Sequence, residues 1–209
     1  MKAKVFCLGF HKTGTTSFFF AMKALGYDPV GSVGLGIPES TFGRESLLQE
    51  CLRHAQSHDA FEDMPWPLFW RELDAAFPGA RFVLLTRPAN DWIESVCSHF
   101  TGAPTPMFRL VYGEGYERPQ ENRAHWVRTY EAHNEAVRAH FAGRPEDFLE
   151  MDLTRGDGWE KLCSFLRQPE PALPFPRRNT RARRASASYR VKRWLLRLSG
   201  RELLPEKLG

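Results

Sequence analysis

The sequence has few cysteines and no long apolar run. Its four cysteines are spread over 209 residues and form no C-x-x-C pair, so we expect buried free thiols rather than a disulfide framework or a cysteine metal site. No apolar stretch approaches the roughly 20 residues of a transmembrane helix. The first residues, MKAKVFCLG, lead directly into a strand pattern without the features of a secretion signal. We therefore expect a globular cytoplasmic protein.

Acidic residues are scarce at the carboxyl-terminal end. Residues 177–209 contain eleven Arg and Lys against two Glu, whereas the preceding residues carry a net charge of −5. We therefore divide the chain into a domain at residues 1–185 and a basic, amphipathic helix or tail at residues 186–209. The tail can pack on the domain, contact an anionic membrane surface or stay solvated. Nucleic acid is disfavoured as a partner, because no base-reading element accompanies the basic residues.

Strand and helix patterns alternate along the rest of the chain. Short apolar runs at residues 4–8, 59–63, 81–87 and 147–151 predict strands. Amphipathic stretches at residues 17–25, 45–58, 66–77, 90–100, 121–141 and 159–166 predict helices. Residues 27–40 are rich in Gly and Pro and predict a connection, and residues 101–115 predict a long loop. This alternation indicates a three-layer α/β fold with a mostly parallel sheet of about four to five strands flanked by helices.

The loop GFHKTGTTS, at residues 9–17, lacks a lysine where nucleotide-triphosphate loops carry one. Those loops read G-x-x-x-x-G-K-[ST], whereas here Thr15 follows Gly14 and the lysine is Lys12. A loop between a strand and a helix directs backbone N–H groups and the positive end of the helix dipole towards an anion. The loop is therefore predicted to bind a phosphate or a similar group.

The second strong strand lacks a terminal aspartate. Enzymes that transfer phosphoryl groups from nucleotides hold Mg²⁺ with an aspartate at such a strand end, but FVLLTR ends in Arg87. A guanidinium there grips an anionic group directly through a fork of N–H donors. Ser95 follows in the second turn of the next helix, from which it can face the same anion. The pair predicts a second anion site that needs no metal.

Together, KTGTTS after the first strand and TRPANDWIES after a later one resemble the superfamily of sulfotransferases that use 3′-phosphoadenosine 5′-phosphosulfate, and in particular its bacterial branch. The resemblance covers most of residues 4–180 and implies the fold of that superfamily, which is similar to that of P-loop NTPases. It implies that the loop binds the 5′-phosphosulfate and that Arg87 and Ser95 hold the 3′-phosphate. An arginine near the carboxyl-terminal end also contacts that phosphate in relatives. The implied donor-binding residues are His11, Lys12, Thr13, Gly14, Thr15, Thr16, Ser17, Arg87, Ser95, and Arg177 or Arg178, with Arg181 as a further candidate.

The resemblance also implies catalytic roles. Lys12 reaches the oxygen that bridges phosphate and sulfuryl group and stabilises charge on the departing phosphate. Asp63 stands where cytosolic relatives place a histidine before x-Pro, and we favour it as the general base. Glu62, His11 and His99 are alternatives, and Asp63 can instead merely cap a helix that begins near Pro65.

The predicted function is metal-independent transfer of a sulfuryl group to a hydroxyl or amine of a small molecule, lipid or saccharide. One alternative is a small-molecule kinase of the P-loop class, which requires ATP and Mg²⁺. The other is a non-catalytic adaptor that binds a membrane or a partner through the basic tail.

Overall fold

The computed structural model describes residues 2–177. Short 3₁₀ turns lie at Glu39–Thr41 and Trp66–Phe69. The strands are β1 (Val5–Cys7), β2 (Pro29–Val30), β3 (Ala60–Phe61), β4 (Arg81–Leu85) and β5 (Phe148–Met151). The helices are α1 (Thr15–Ala24), α2 (Arg44–Ser57), α3 (Trp70–Ala76), α4 (Ala89–His99), α5 (Pro106–Tyr112), α6 (Arg123–Phe141) and α7 (Trp159–Leu166).

The five strands form one sheet in the order β2-β3-β1-β4-β5, and every pair of neighbouring strands is parallel. Helices flank this sheet, so the predicted α/β class is confirmed. Parallel strands all end at the same edge of a sheet, where ligands of open α/β folds bind. The segments that follow β1, β3 and β4 therefore meet at one edge, with that of β1 in the middle.

Alternating side chains of the strands build two cores. Phe6 faces one side of the sheet, where its ring stacks on those of its register partners Phe61 and Phe82, with ring centroids 4.6 and 5.5 Å away. Val5 and Cys7 face the other side, against α1 and α7. A third apolar cluster, rich in aromatic residues, lies around the segment after β1 and includes residues of α4, α5 and α6. The sheet is thus covered on both faces, as parallel sheets require.

Two elements differ from the sequence prediction. The stretch predicted as a long loop contains α5, whose first residue is Pro106 and whose preceding Thr105 accepts a hydrogen bond from the N–H of Phe108 at its side chain. The stretch predicted as a Gly/Pro-rich connection contains the two-residue strand β2. Pairing with β3 stabilises this strand, and short-range patterns do not report such pairing.

The four cysteines are free thiols. Three are buried, and Cys97 is half-buried. None of the helices within residues 2–177 combines the length and the apolar character needed to cross a membrane. Arg178, Arg181 and the predicted basic tail lie outside the described residues.

Candidate active site

The loop after β1 passes very close to the end of β4. A Cβ added to Gly9 would lie 2.6 Å from both the Cβ and the carbonyl oxygen of Leu85 and 2.7 Å from Oγ1 of Thr13. Only glycine fits this approach. The carboxyl ends of β1 and β4 therefore pack directly against each other where the loop begins.

The turn of the loop uses two backbone conformations in the left-handed region. Gly14, with φ 114°, precedes the first residue of α1 and lies against Leu153. Lys12 has φ 68° although it carries a side chain, which is uncommon and requires support from the surroundings. The residue that precedes α1 is a glycine and supplies no capping side chain.

Neighbouring elements brace this turn. The carbonyl oxygen of His11 accepts a hydrogen bond from Nε1 of Trp92 at 2.9 Å, and Nε2 of His11 lies 2.9 Å from the hydroxyl of Tyr112. Within the loop, the hydroxyl of Thr13 donates to the carbonyl of Phe10 at 2.7 Å. The backbone on either side of Lys12 is therefore held from α4, from α5 and from the loop itself.

Asp63 follows β3, two residues beyond its end. It has φ 66°, and its Oδ1 accepts a hydrogen bond from the N–H of Met64 at 2.9 Å. Asp is one of the residues that tolerate this left-handed conformation. β3 is the sheet neighbour of β1, so Asp63 and the loop occupy adjacent positions at the same edge.

Lys12 and Asp63 influence each other electrostatically. Burial raises the pKa of the Asp63 carboxyl above its usual value, whereas the backbone N–H of Met64 and the Lys12 ammonium oppose this rise. A carboxylate with a raised pKa is a stronger base than an ordinary one. The structure thus brings together a cation and a basic carboxylate that are 51 positions apart in the sequence.

Arg87 lies two residues beyond the end of β4, and its backbone is clamped by Tyr130 of α6. The Tyr130 hydroxyl accepts a hydrogen bond from the N–H of Arg87 at 2.9 Å and donates one to its carbonyl oxygen at 3.0 Å. The side-chain Nε of Arg87 is buried and has no hydrogen-bond partner within residues 2–177. The Oγ of Ser95, on the second turn of α4, is likewise buried without a described partner. Buried polar groups are normally paired, so these two atoms fit a polar ligand.

A cleft of about 650 Å³ opens beside Arg87. It is lined by the start of α4, by α6 and by the segment after β5, including Asn134, Arg138 and Asp152. Asn134 is almost fully buried and its Oδ1 has no partner among the described residues. The cleft places polar side chains of α6 and of the segment after β5 beside the guanidinium.

The alternative bases occupy different environments. Glu62 is 5% exposed at the end of β3, and its N–H donates to the carbonyl of Val30. His11 is buried inside the aromatic cluster, and burial together with the charge of Lys12 lowers its pKa to about 3. His99 is exposed in the last turn of α4. Of the four candidates, the structure brings Asp63 into electrostatic contact with Lys12 while leaving its side chain partly exposed.

The remaining predicted contacts fall at or beyond the last described residue. Arg177 is exposed in a segment without regular secondary structure, and Arg178 lies outside the described range. Within residues 2–177, no group of three or more His, Cys, Asp or Glu side chains is arranged to hold a metal ion.

Sequence reasoning missed the three aromatic residues that hold the site together. Trp92, Tyr112 and Tyr130 each donate or accept through a single polar atom at a segment that follows β1 or β4. Tyrosine and tryptophan usually seek such a partner when buried. This tendency indicates that the three side chains form hydrogen bonds, but it does not predict which residues are their partners.

Comparisons with known proteins agree with this geometry. A family model described as a sulfotransferase domain matches residues 4–184. The chain is also similar to the Ava biosynthesis cluster protein M of Aspergillus versicolor, with 25% identity over 83% of this chain and 79% of that protein. Because the family model covers most of the sequence, the chain belongs to the family defined by this sulfotransferase domain.

Proposed function

We propose that this protein transfers a sulfuryl group from 3′-phosphoadenosine 5′-phosphosulfate to a hydroxyl or amine of an acceptor, without a metal ion. The observation that carries the proposal is the pair of buried polar atoms on Arg87 and Ser95, which have no hydrogen-bond partner within residues 2–177. They lie on the β4–α4 unit, next in the sheet to a loop suited to a second anion. A donor with phosphate groups at its 3′ and 5′ positions can occupy both anion sites, the one at Arg87 and Ser95 and the one at the loop.

At the donor end, the loop binds the 5′-phosphosulfate through the N–H groups at the start of α1 and through its hydroxyl side chains. Arg87 and Ser95 bind the 3′-phosphate. Lys12 places its positive charge at the oxygen that bridges phosphorus and sulfur. Negative charge develops on this oxygen as its bond to sulfur breaks. The lysine therefore stabilises the departing phosphate.

At the acceptor end, Asp63 receives the proton of the attacking group. The acceptor oxygen or nitrogen forms a bond to sulfur while the bond from sulfur to the 5′-phosphate oxygen breaks. The products are the sulfated acceptor and adenosine 3′,5′-bisphosphate. Lys12 and Asp63 thus act at opposite ends of the bond exchange, from neighbouring positions at the same edge of the sheet.

Adenosine 3′,5′-bisphosphate should stabilise the protein against heat in the presence of a metal chelator. A ligand at 100 times its Kd stabilises the folded state by about 2.7 kcal/mol, which corresponds to a rise in melting temperature of roughly 5–10 °C for a chain of this size. Differential scanning fluorimetry with a ligand titration measures this shift.

ATP with Mg²⁺ is the matched comparison, because it offers a nucleotide without the 3′-phosphate. We expect it to give a much smaller shift. A large shift with ATP and Mg²⁺ alone would favour a kinase of the P-loop class. The absence of any shift with the bisphosphate would refute the proposed donor.

Replacing Arg87 by alanine should weaken binding of the bisphosphate by about 10-fold to 100-fold, because hydrogen bonds to a charged group contribute about 1.5–3 kcal/mol. The fold should persist, since Tyr130 holds the backbone of residue 87 and not its side chain. Isothermal titration calorimetry measures the Kd. Arg128→Ala, at an exposed position of α6, is the control, and equal losses in both variants would argue against the assignment.

A further inference from the structure

Tyr112, the last residue of α5, forms a hydrogen bond across a long stretch of sequence to the loop after β1. Its hydroxyl lies 2.9 Å from Nε2 of His11, and both residues are buried. The ring of Tyr112 stacks on that of Trp126 with a centroid separation of 3.4 Å. Packing of the Tyr112 ring against α6 therefore fixes the position of its hydroxyl.

Both members of this pair are uncharged near neutral pH. Burial, followed by the charges of Lys12 and His99, lowers the pKa of His11, so its ring is neutral near pH 7. Burial, together with the charge of Asp63, raises the pKa of the Tyr112 hydroxyl, which stays protonated. A neutral imidazole has one acceptor nitrogen. Nε2 of His11 and the Tyr112 hydroxyl therefore share one neutral hydrogen bond, and the imidazole tautomer decides which of them donates.

The consequence falls on the next residue, Lys12. Trp92 holds the carbonyl of His11 by one hydrogen bond, and Tyr112 holds its ring by another. Together the two bonds restrict rotation of both the backbone and the side chain of residue 11. Lys12 has a left-handed backbone conformation, which persists only when neighbouring groups determine it. We therefore expect loss of the Tyr112 hydroxyl to let residues 11 and 12 relax and to change the backbone geometry of the loop.

We propose that Tyr112 is a positioning residue of the donor site, which acts through His11 to hold Lys12 and the loop amides in the geometry that binds the 5′-phosphosulfate. The inference rests on the proposed function. It assigns Tyr112 to the 5′ end of the donor, because the hydroxyl of Tyr112 contacts His11 in the loop, whereas the hydroxyl of Tyr130 holds the backbone of Arg87.

Tyr112→Phe keeps the stacked ring and removes only the hydroxyl. We expect the Kd of adenosine 3′,5′-bisphosphate to rise about fivefold, as for the loss of one hydrogen bond. Binding of adenosine 3′-monophosphate, which lacks the 5′ group, should change by less than about twofold. Isothermal titration calorimetry measures the first ligand, and competition measures the second.

Variants of His11 test the same hydrogen bond from its other end. The amide oxygen of His11→Gln can accept from Tyr112, and we expect this variant to keep most of the affinity for the bisphosphate, whereas His11→Leu should lose as much as Tyr112→Phe. Tyr116→Phe, at an exposed tyrosine of the segment after α5, is the control and should bind both ligands normally.

Equal losses for both ligands in Tyr112→Phe would overturn the proposal, because general destabilisation weakens both alike. Unchanged binding of both ligands, or equal behaviour of the Gln and Leu variants at position 11, would overturn it as well. If the wild-type protein binds neither nucleotide, the proposed donor itself fails. Normal wild-type binding with an insensitive Tyr112 refutes the positioning role alone.

Discussion

Asp63→Asn is expected to lower the rate of sulfuryl transfer by about 10²-fold to 10⁴-fold, the usual contribution of a general base. Asparagine keeps the oxygen that accepts from the N–H of Met64, and it tolerates the left-handed backbone at this position. The substitution therefore removes the base with little effect on the loop. Release of adenosine 3′,5′-bisphosphate from the donor, measured chromatographically over a panel of hydroxyl and amine acceptors, reports the rate.

The pH dependence of wild-type turnover follows from the same carboxyl. The ionised form accepts the proton, and burial raises its pKa, so the rate should fall as the pH drops through a value above the ordinary range for aspartate. The folded state favours the protonated carboxyl relative to the unfolded chain, so ionisation of Asp63 costs stability at neutral pH. Asp63→Asn should consequently melt no lower than the wild type, which separates lost catalysis from lost folding.

Two further substitutions check the assignment of the base. Asp91→Asn, at an exposed position of α4, should leave the rate unchanged. Glu62→Gln should have a far smaller effect than Asp63→Asn. A larger loss from the substitution at Glu62 would transfer the role to that residue, and normal turnover by Asp63→Asn would show that this carboxylate is not the base.

Lys12→Ala is expected to reduce turnover by about 10²-fold to 10³-fold, as for the loss of one group that stabilises developing charge. Alanine has the same Cβ as lysine, so the backbone strain at φ 68° is unchanged. Binding of the bisphosphate should weaken much less, because the loop amides, Arg87 and Ser95 remain. The expected signature is a large fall in kcat with a small change in Kd.

The matched control for this charge is Lys23→Ala, in the last turn of α1, where the side chain is exposed. We expect turnover by this variant to equal that of the wild type. If Lys12→Ala instead lost affinity by a large factor and kept its kcat, Lys12 would be a binding residue, and the stabilisation of the leaving group would have to come from elsewhere.

Much of the architecture could be predicted from local patterns. The buried runs at β1 and β4 are too apolar for loops, and α7 has the predicted bounds of Trp159–Leu166. β2 could not be predicted, because Pro29 and Val30 form a strand of two residues that pairs with β3, and the local sequence does not report this pairing. α5 carried a usable signal in Thr105 followed by Pro106, a good cap and first helical residue, but the surrounding Gly and Pro outweighed it.

The site divides along a similar line. The proximity of the loop, Asp63 and Arg87 could be predicted, because each follows a strand and parallel strands end together. The groups that brace the site could not, since the hydrogen bonds from Trp92 and Tyr112 to His11 join residues 81 and 101 positions apart. Such pairings depend on how α4 and α5 pack, and no local pattern encodes them.

The close approach of Gly9 to Leu85 fixes the distance between the loop after β1 and the segment after β4. Neighbouring strands lie about 4.8 Å apart, and the ends of β1 and β4 leave no room for a side chain between them. The pairing of these two strands therefore sets the spacing between the loop and Arg87. If the proposed function is correct, this fixed spacing favours ligands whose two charged groups are separated by the distance between the loop and Arg87. Under the proposed function, a nucleotide with only one of these groups contacts only one of the two sites and binds more weakly.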